Sequence, residues 1–418
     1  MDTTEGICPT GRDVIVHVLP IFILQYLMGV LVQLKGTALL RIALLPLISW
    51  VVLQAVLGLD FSCGKEEEGP KNAAFVHYQT YLTSFVARAT VWTLERQPYK
   101  RENVSGTEST SIPMACWNAF DLLFNMRGVG WNWSKGIPIS RSSVQSQSRP
   151  RFLFFAVTRF ILFAVVFDAL QEGVRSHFPN FSPRDSNTIF DHSLPPIPRY
   201  IRVFQIVYLN LWQAYFFIGS MYHLLSAIFV ILFFQHPSQW PPLFDKPWSS
   251  TSLSDLWGRR WHQIIRHFSV ALGGVPFIHV LGRPGYVLGT FLLSGAIHYI
   301  DFRASGCRGN PVIGGGFFVI NAIGVLLERA WSKMRGHRID GIYGWIWTFS
   351  WLTLWSVPMV DEWAKIGRFG SNWIGDFRPA AVLLSLVLPT TVDKGFVANC
   401  LCFGISVPFL VYTLFTLP

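Results

Sequence analysis

Apolar runs long enough to cross a bilayer recur along the whole chain. A spanning helix needs about 20 mostly apolar residues, and residues 14–34 and 42–59 meet that length early. Residues 73–94 form a third, more polar candidate, and 152–170 a fourth. The run 204–234 suits either one tilted helix or two short segments, and runs 286–302, 312–327 and 342–360 follow. Residues 380–388 and 396–417 close the series, the former too short to span alone. Residues 269–281 are also short, and Gly273, Gly274 and Pro276 interrupt them. A re-entrant segment would fit there, a form tolerated where protein or water surrounds the backbone. The pattern predicts an all-α, multi-pass transmembrane helical bundle of about eight to ten spans. It is read as a single integral membrane domain over residues 1–418.

Composition supports this picture. Hydrophobic residues make up 51% of the 418 positions and charged residues only 14%, against about 25% charged in soluble domains. The mean hydropathy is +0.37. The 17 tryptophans and 35 phenylalanines suit a chain with bilayer interfaces to populate. The net charge is +10, but the basic residues sit in short loops between apolar runs. Nucleic-acid binding would need them on one polar face, so no nucleic-acid partner is expected.

Loop charge predicts orientation. Lys35 with Arg41, the segment 95–151, and the cluster Arg329, Lys333, Arg335, His337 and Arg338 are all expected on the cytosolic side. Segment 95–151 is read as a cytosolic loop with an interfacial part. If the run 204–234 crosses once, residues 235–267 are cytosolic too. Arg184, Arg199 and Arg202 then face the lumen, against the rule. The sequons at Asn103 and Asn132 are expected to be unmodified, and the one at Asn180 accessible. Residues 140–148 read as a linker and Glu66, Glu67 and Glu68 as a solvated loop. The six cysteines, Cys8, Cys63, Cys116, Cys307, Cys400 and Cys402, show no Cys-x-x-Cys spacing; they read as packing residues, and no metal site is expected. Asp2, Glu5 and Asp13 do not make a basic leader, so the first span is expected to stay in the chain.

Ionisable residues at membrane depth are costly and are functional candidates by default. His298 lies in the apolar run after Leu292-Leu293-Ser294-Gly295-Ala296-Ile297. A neutral imidazole there can accept and return a proton. It can equally be a histidine hydrogen-bonded between helices. Gly295, one turn earlier, leaves room for a neighbouring helix or a ligand. Arg259, His262 and Arg266 have the spacing of one helix face, with Arg260 and His267 pointing elsewhere. Two guanidiniums on one face suit phosphate or carboxylate; an interfacial helix touching lipid phosphate is the alternative. Residues 121–133 carry Arg127, Gly128, Gly130, Trp131 and Trp133 and read as a tight structural loop at the membrane surface. Pro284 after Arg283 marks a helix start, and Gly314, Gly315 and Gly316 mark close helix packing or a hinge.

These motifs carry a resemblance. With Trp257-Gly258-Arg259-Arg260-Trp261-His262 and Ser294-Gly295-Ala296-Ile297-His298, the chain resembles the wax synthase-like branch of the membrane-bound O-acyltransferases. In particular it is similar to fungal acetyltransferases of terpenoid and meroterpenoid biosynthesis, and residues 121–133 share that likeness. The resemblance implies a multi-pass fold with a buried reaction chamber, and makes 235–302 the motif-bearing catalytic region. It implies an acyl-CoA donor, acetyl-CoA as co-substrate rather than a permanently bound cofactor, and a hydrophobic hydroxylated acceptor. His298 matches the family's characteristic histidine, the base; His262 matches the position held there by asparagine, aspartate or histidine. Arg259 and Arg266, with Arg260 and Trp261 beside them, are the expected donor-binding residues. The expected location is the endoplasmic reticulum membrane. A wax-ester-type enzyme acting on long-chain alcohols is one alternative. A proton-coupled transporter is another, although no internal repeat supports it.

Overall fold

The computed structural model describes residues 11–59, 74–102, 110–134, 148–178, 188–304, 310–370, 378–380 and 382. In chain order its helices are α1 (Gly11–Leu31), α2 (Ala38–Gly58), α3 (Ala74–Leu94), α4 (Ile112–Phe124), α5 (Arg149–Arg175), α6 (Pro196–Leu232), α7 (Leu253–Asp255), α8 (Arg266–Ser269), α9 (Val275–Ala304), α10 (Pro311–Arg335) and α11 (Gly341–Lys365). Among the described residues the sole β pairing is an isolated antiparallel bridge between Arg101 and Trp131.

Six helical stretches among these residues are long and apolar enough to cross a membrane: α1, α2, α5, α6, Arg266–Ile300 and α10. Helices α3 and α11 also form where the pattern placed them. Of the run 380–388 only residues 380 and 382 are described, and 396–417 lies outside the described residues. The same holds for Asn103, Asn180, the three glutamates 66–68, most of the serine-rich segment, and every cysteine but Cys116. The chain is an all-α, multi-pass membrane protein. The run 204–234 resolves into one helix, α6, of 37 residues, about 55 Å long at 1.5 Å per residue.

The chain divides into two compact units. The first holds α1–α4 and α8–α10. Its core packs Ile21 and Met28 of α1, Ile48 and Val52 of α2, and Phe85 and Trp92 of α3 with Tyr99 and Trp131. Buried arginines finish its helices. Arg41 of α2, counted above with the basic loops, is 6% exposed; it donates to the carbonyls of Trp92 and of Glu95, the latter at 2.9 Å. Those carbonyls close the end of α3, where backbone donors run out. The second unit pairs α5 with α6 and adds α11. A buried amide chain ties the pair: Asn210 Nδ2 donates to Gln213 Oε1 (3.1 Å), and Gln213 Nε2 to Gln171 Oε1 (2.8 Å). Polar side chains within apolar helices pair in this way because lipid offers no alternative partner.

Arg266–Ile300 is not one rod. Gly282 has φ 62° and ψ −148°, a conformation essentially confined to glycine. On a continuous helix Gly273 and Gly289 would lie about 24 Å apart. Instead a Cβ on either would collide with the carbonyl of the other. The segment is a helical hairpin, bent just before Arg283 and Pro284, where the sequence marked a helix start. The first limb, 266–281, is about 24 Å long, short of the ~30 Å hydrocarbon layer, the proportions proposed for a re-entrant segment.

Candidate active site

The second limb of the hairpin carries His298 and lies along α10 with almost no side chain between the backbones. A Cβ at Gly295 would meet the Gly315 carbonyl oxygen at 2.7 Å, and a Cβ at Gly315 would meet the Gly295 oxygen at 2.7 Å. The space left by Gly295 is thus taken by a neighbouring helix. One turn on, the His298 imidazole stacks on Phe318 with ring centroids 4.2 Å apart and planes 6° from parallel. The next aromatic neighbour is Trp257, whose ring meets Phe317, Phe318 and Phe291 and whose Nε1 donates to Asn321 Oδ1 (3.1 Å). Asn321 is fully buried and returns its Nδ2 to the Phe317 carbonyl (2.8 Å). This bond anchors the start of the Trp257–His262 motif to α10.

The motif does not form the helix face that its spacing suggested. Leu256–Arg260 is a single π-helical turn, the backbone leaves the helix through residues 261–265, and α8 begins at Arg266. Arg259, His262 and Arg266 therefore do not line one helical stripe. The cause is the buried Gln263. Its Nε2 donates to the carbonyls of Trp257 (3.2 Å) and Trp261 (2.7 Å), taking acceptors that a continuing helix would fill with backbone N–H groups. Arg266 braces the same loop, donating to Gly258 O (3.0 Å) and Gln263 Oε1 (3.2 Å). Arg259 is exposed, while Arg260 and Trp261 are half-buried.

The loop turns His262 inward. Its Nδ1 is buried, its ring lies 5.5 Å from that of Trp261, and the charges of His298 and Arg127 reach it. The two histidines picked out in the sequence are thus brought together. Burial first, then His298 and Arg127, push the His262 imidazole down to about 3, so it is neutral at physiological pH. A neutral imidazole offers one N–H donor and one acceptor nitrogen.

Arg127, whose charge reaches His262, was read from the sequence as part of a structural loop rather than as a site residue. Residues 121–133 were expected at the membrane surface, yet Asp121, Arg127 and Trp131 are 6%, 7% and 0% exposed. The signal that could have found it was a lone cation between apolar residues, the criterion already applied to His298. Its neighbour Met126 packs in one buried cluster with Phe268 and Ile297, against Ile264, Ile265 and Leu293. Those residues flank both histidines. Among the described residues, no group of three or more His, Cys, Asp or Glu side chains could hold a metal ion.

A helical membrane protein with two histidines and an arginine converging inside it defines a class before it defines an enzyme. Residues 240–320, which contain both histidines, match the membrane bound O-acyl transferase family. The chain is 28% identical to the acetyltransferase aurG of Calcarisporium arbuscula over 36% of this chain and 40% of that protein. It is 25% identical to the acetyltransferase atnC of Arthrinium sp over 61% of this chain and 65% of that one. With the acetyltransferase sirH of Emericella nidulans it shares 26% over 70% and 67%. The matched parts thus span between 40% and 67% of these relatives' lengths. The resemblance drawn from the two histidine motifs is borne out, in the family and in the fungal acetyltransferases alike.

Proposed function

We propose that this protein transfers an acyl group from a coenzyme A thioester to the hydroxyl of a hydrophobic small molecule. Acetyl-CoA is the proposed donor, a terpenoid or meroterpenoid alcohol the proposed acceptor, and the endoplasmic reticulum the proposed membrane. The observation that carries the reading is that His262 and His298, both inside the segment that matches the family, act on one another, with the charge of Arg127 from outside that segment reaching His262 as well. His298 accepts the hydroxyl proton as the acceptor oxygen attacks the thioester carbonyl. The C–O bond forms, the carbonyl electron pair moves onto oxygen, and His262 donates a hydrogen bond to it. Collapse breaks the C–S bond, and the coenzyme A thiolate takes the proton back from His298. Holding both reactants in one site supplies proximity, worth up to about 7–11 kcal/mol in favourable systems. Exposed Arg259 is the proposed contact for the charged donor, while Arg266 acts through the loop it braces.

The test is the expressed protein in microsomes, given labelled acetyl-CoA with hydroxylated terpenoids and read by mass spectrometry. Labelled ester is the expected product. Ester formed only from long-chain acyl-CoA would replace the acetyl reading with a wax-ester-type one, and proton-coupled flux without ester would replace it with transport.

A further inference from the structure

We propose that Arg127 is a third working residue of this site, supplying the fixed positive charge that stabilises the oxyanion of the tetrahedral intermediate. The inference rests on the acyl-transfer reading and adds to it a donor that neither histidine motif contains. Arg127 leaves the end of α4 in a turn fixed from both sides. Asn125 Oδ1 accepts the Val129 N–H (3.0 Å), and Asn125 Nδ2 donates to the Val129 carbonyl (3.0 Å). The Asp121 carboxylate accepts from Asn125 Nδ2 (3.0 Å), Trp131 Nε1 (2.7 Å) and the Arg101 guanidinium (3.0 Å). Arg101 also stacks on Trp131, 4.6 Å from the ring centroid. Trp133 rests on His267 of α8 at 4.3 Å between rings, which ties the far end of the turn to the segment following His262.

The turn is aimed by a second arginine. Arg88 of α3 is 2% exposed. It donates to the carbonyls of Leu122, Leu123 (3.0 Å) and Asn125 (3.3 Å) and to Met126 Sδ (3.1 Å). Its planar fork closes the α4 terminus and stops one residue short of Arg127. A lysine, with a single point charge, cannot serve several acceptors in the same plane. Arg88 is therefore a positioning residue that acts through the turn. The groups whose charge reaches His262 are His298, from the hairpin limb, and Arg127, from this turn. A fixed cation whose charge reaches His262 favours the neutral form of that imidazole. In the proposed reaction the same charge faces the thioester oxygen as it becomes an oxyanion.

The test uses the full-length protein in detergent micelles. R127Q is expected to lower kcat by about 10²–10³-fold, the range for removal of one oxyanion donor, with the acetyl-CoA KM within threefold of wild type. R88K is expected to lower kcat at least about tenfold with the same unchanged KM, since misaimed groups lose rate rather than binding. NMR of 13C-labelled histidine, assigned with H262Q, should show the His262 midpoint rising in R127Q; a purely structural role would leave it in place. If R127Q does not accumulate, R127M is judged by the same split. An R127Q kcat within threefold of wild type overturns the proposal. So does a raised KM at unchanged kcat, which would make Arg127 a donor-phosphate contact. Wild-type protein that forms no ester sinks the acyl-transfer reading and this inference with it; active wild type equalled by R127Q sinks the arginine alone.

Discussion

Substituting Gly295 by alanine probes the helix contact that sets His298. The added Cβ would stand 2.7 Å from the Gly315 carbonyl oxygen, where ordinary contact begins at 3.4 Å, so α9 and α10 must part by about 0.7 Å. Neither backbone can swing aside as a side chain would. Overpacking of this kind costs about 1–3 kcal/mol, and alanine's better helix propensity returns about 1 kcal/mol. The net stability change is therefore small, about 0–2 kcal/mol. The effect on the site is larger, because His298 lies one turn away, stacked at 4.2 Å on a residue of the helix being displaced. A misplacement near 1 Å costs about 10²-fold in rate; for 0.7 Å a loss of about 10–100-fold in kcat/KM is expected. Gly316 is the control, since a Cβ there meets nothing within 4 Å. G316A should retain wild-type transfer and melt no lower than wild type. Labelled-acetyl transfer and thermal melting in micelles measure both. Wild-type kcat/KM in G295A, or equal damage in G316A, would show that this contact does not set the histidine.

H298A should lower kcat by about 10²–10⁴-fold, the range for a general base, in protein that still accumulates in membranes; near-normal turnover would remove the residue from the mechanism. H262A should lower kcat by about 10²–10³-fold, and unchanged product formation would make His262 structural. G282A forces a side chain into a glycine-only backbone conformation, costing about 1–3 kcal/mol, and should lower the melting temperature; an unchanged melt would show that the hairpin bend tolerates a Cβ. Stability should also fall on acidification. His262 is held at about 3 when folded and titrates near 6.5 when unfolded. Below about pH 6.5 the unfolded chain therefore binds a proton that the folded one refuses, and stability drops by about 1.4 kcal/mol per pH unit towards pH 3. His177, held at about 4 by burial and then by Arg202, adds a loss of the same sign, so H262Q should flatten the acid limb only in part. An acid limb identical in H262Q and wild type would refute the assignment.

Apolar run lengths anticipated α1 and α2 to within four residues at each end and α5, α6 and α10 to within eight, because hydrophobic length is a direct reading of bilayer thickness. The hairpin was half visible. Gly273, Gly274 and Pro276 flagged a weak span, and Pro284 flagged a restart. What could not be seen was that Gly273 and Gly289 meet, a long-range contact that no local pattern encodes. The two histidines were legible as ionisable residues in or beside apolar runs. The shared face of Arg259, His262 and Arg266 was a false reading, since helical spacing assumes a continuous helix and Gln263 interrupts it. The burial of Arg127 was not anticipated, because glycines and tryptophans around it look the same at a membrane surface and in a buried turn.

The arginines have a backbone role that a count of loop charge does not show. Arg41, Arg88, Arg149, Arg199, Arg202 and Arg266 all donate to backbone carbonyls, either at helix C-termini, where carbonyls have lost their own N–H partners, or in loops that have no such partners. In apolar surroundings an unmet carbonyl is expensive, and a guanidinium with five donors can serve several at once. Arg199 and Arg202 stood against the charge asymmetry in the expected topology. Both are occupied at the start of α6: Arg199 with the carbonyls of Asp191, His192 and Leu194, and Arg202 with those of His177 and Ile189. Their positions answer to local backbone needs, so they carry no vote on which side of the membrane they face. The +10 net charge is in part a count of helix ends finished by arginine. Sorting each cation by the atoms it holds separates Arg88, whose fork finishes α4, from Arg127, whose charge reaches His262.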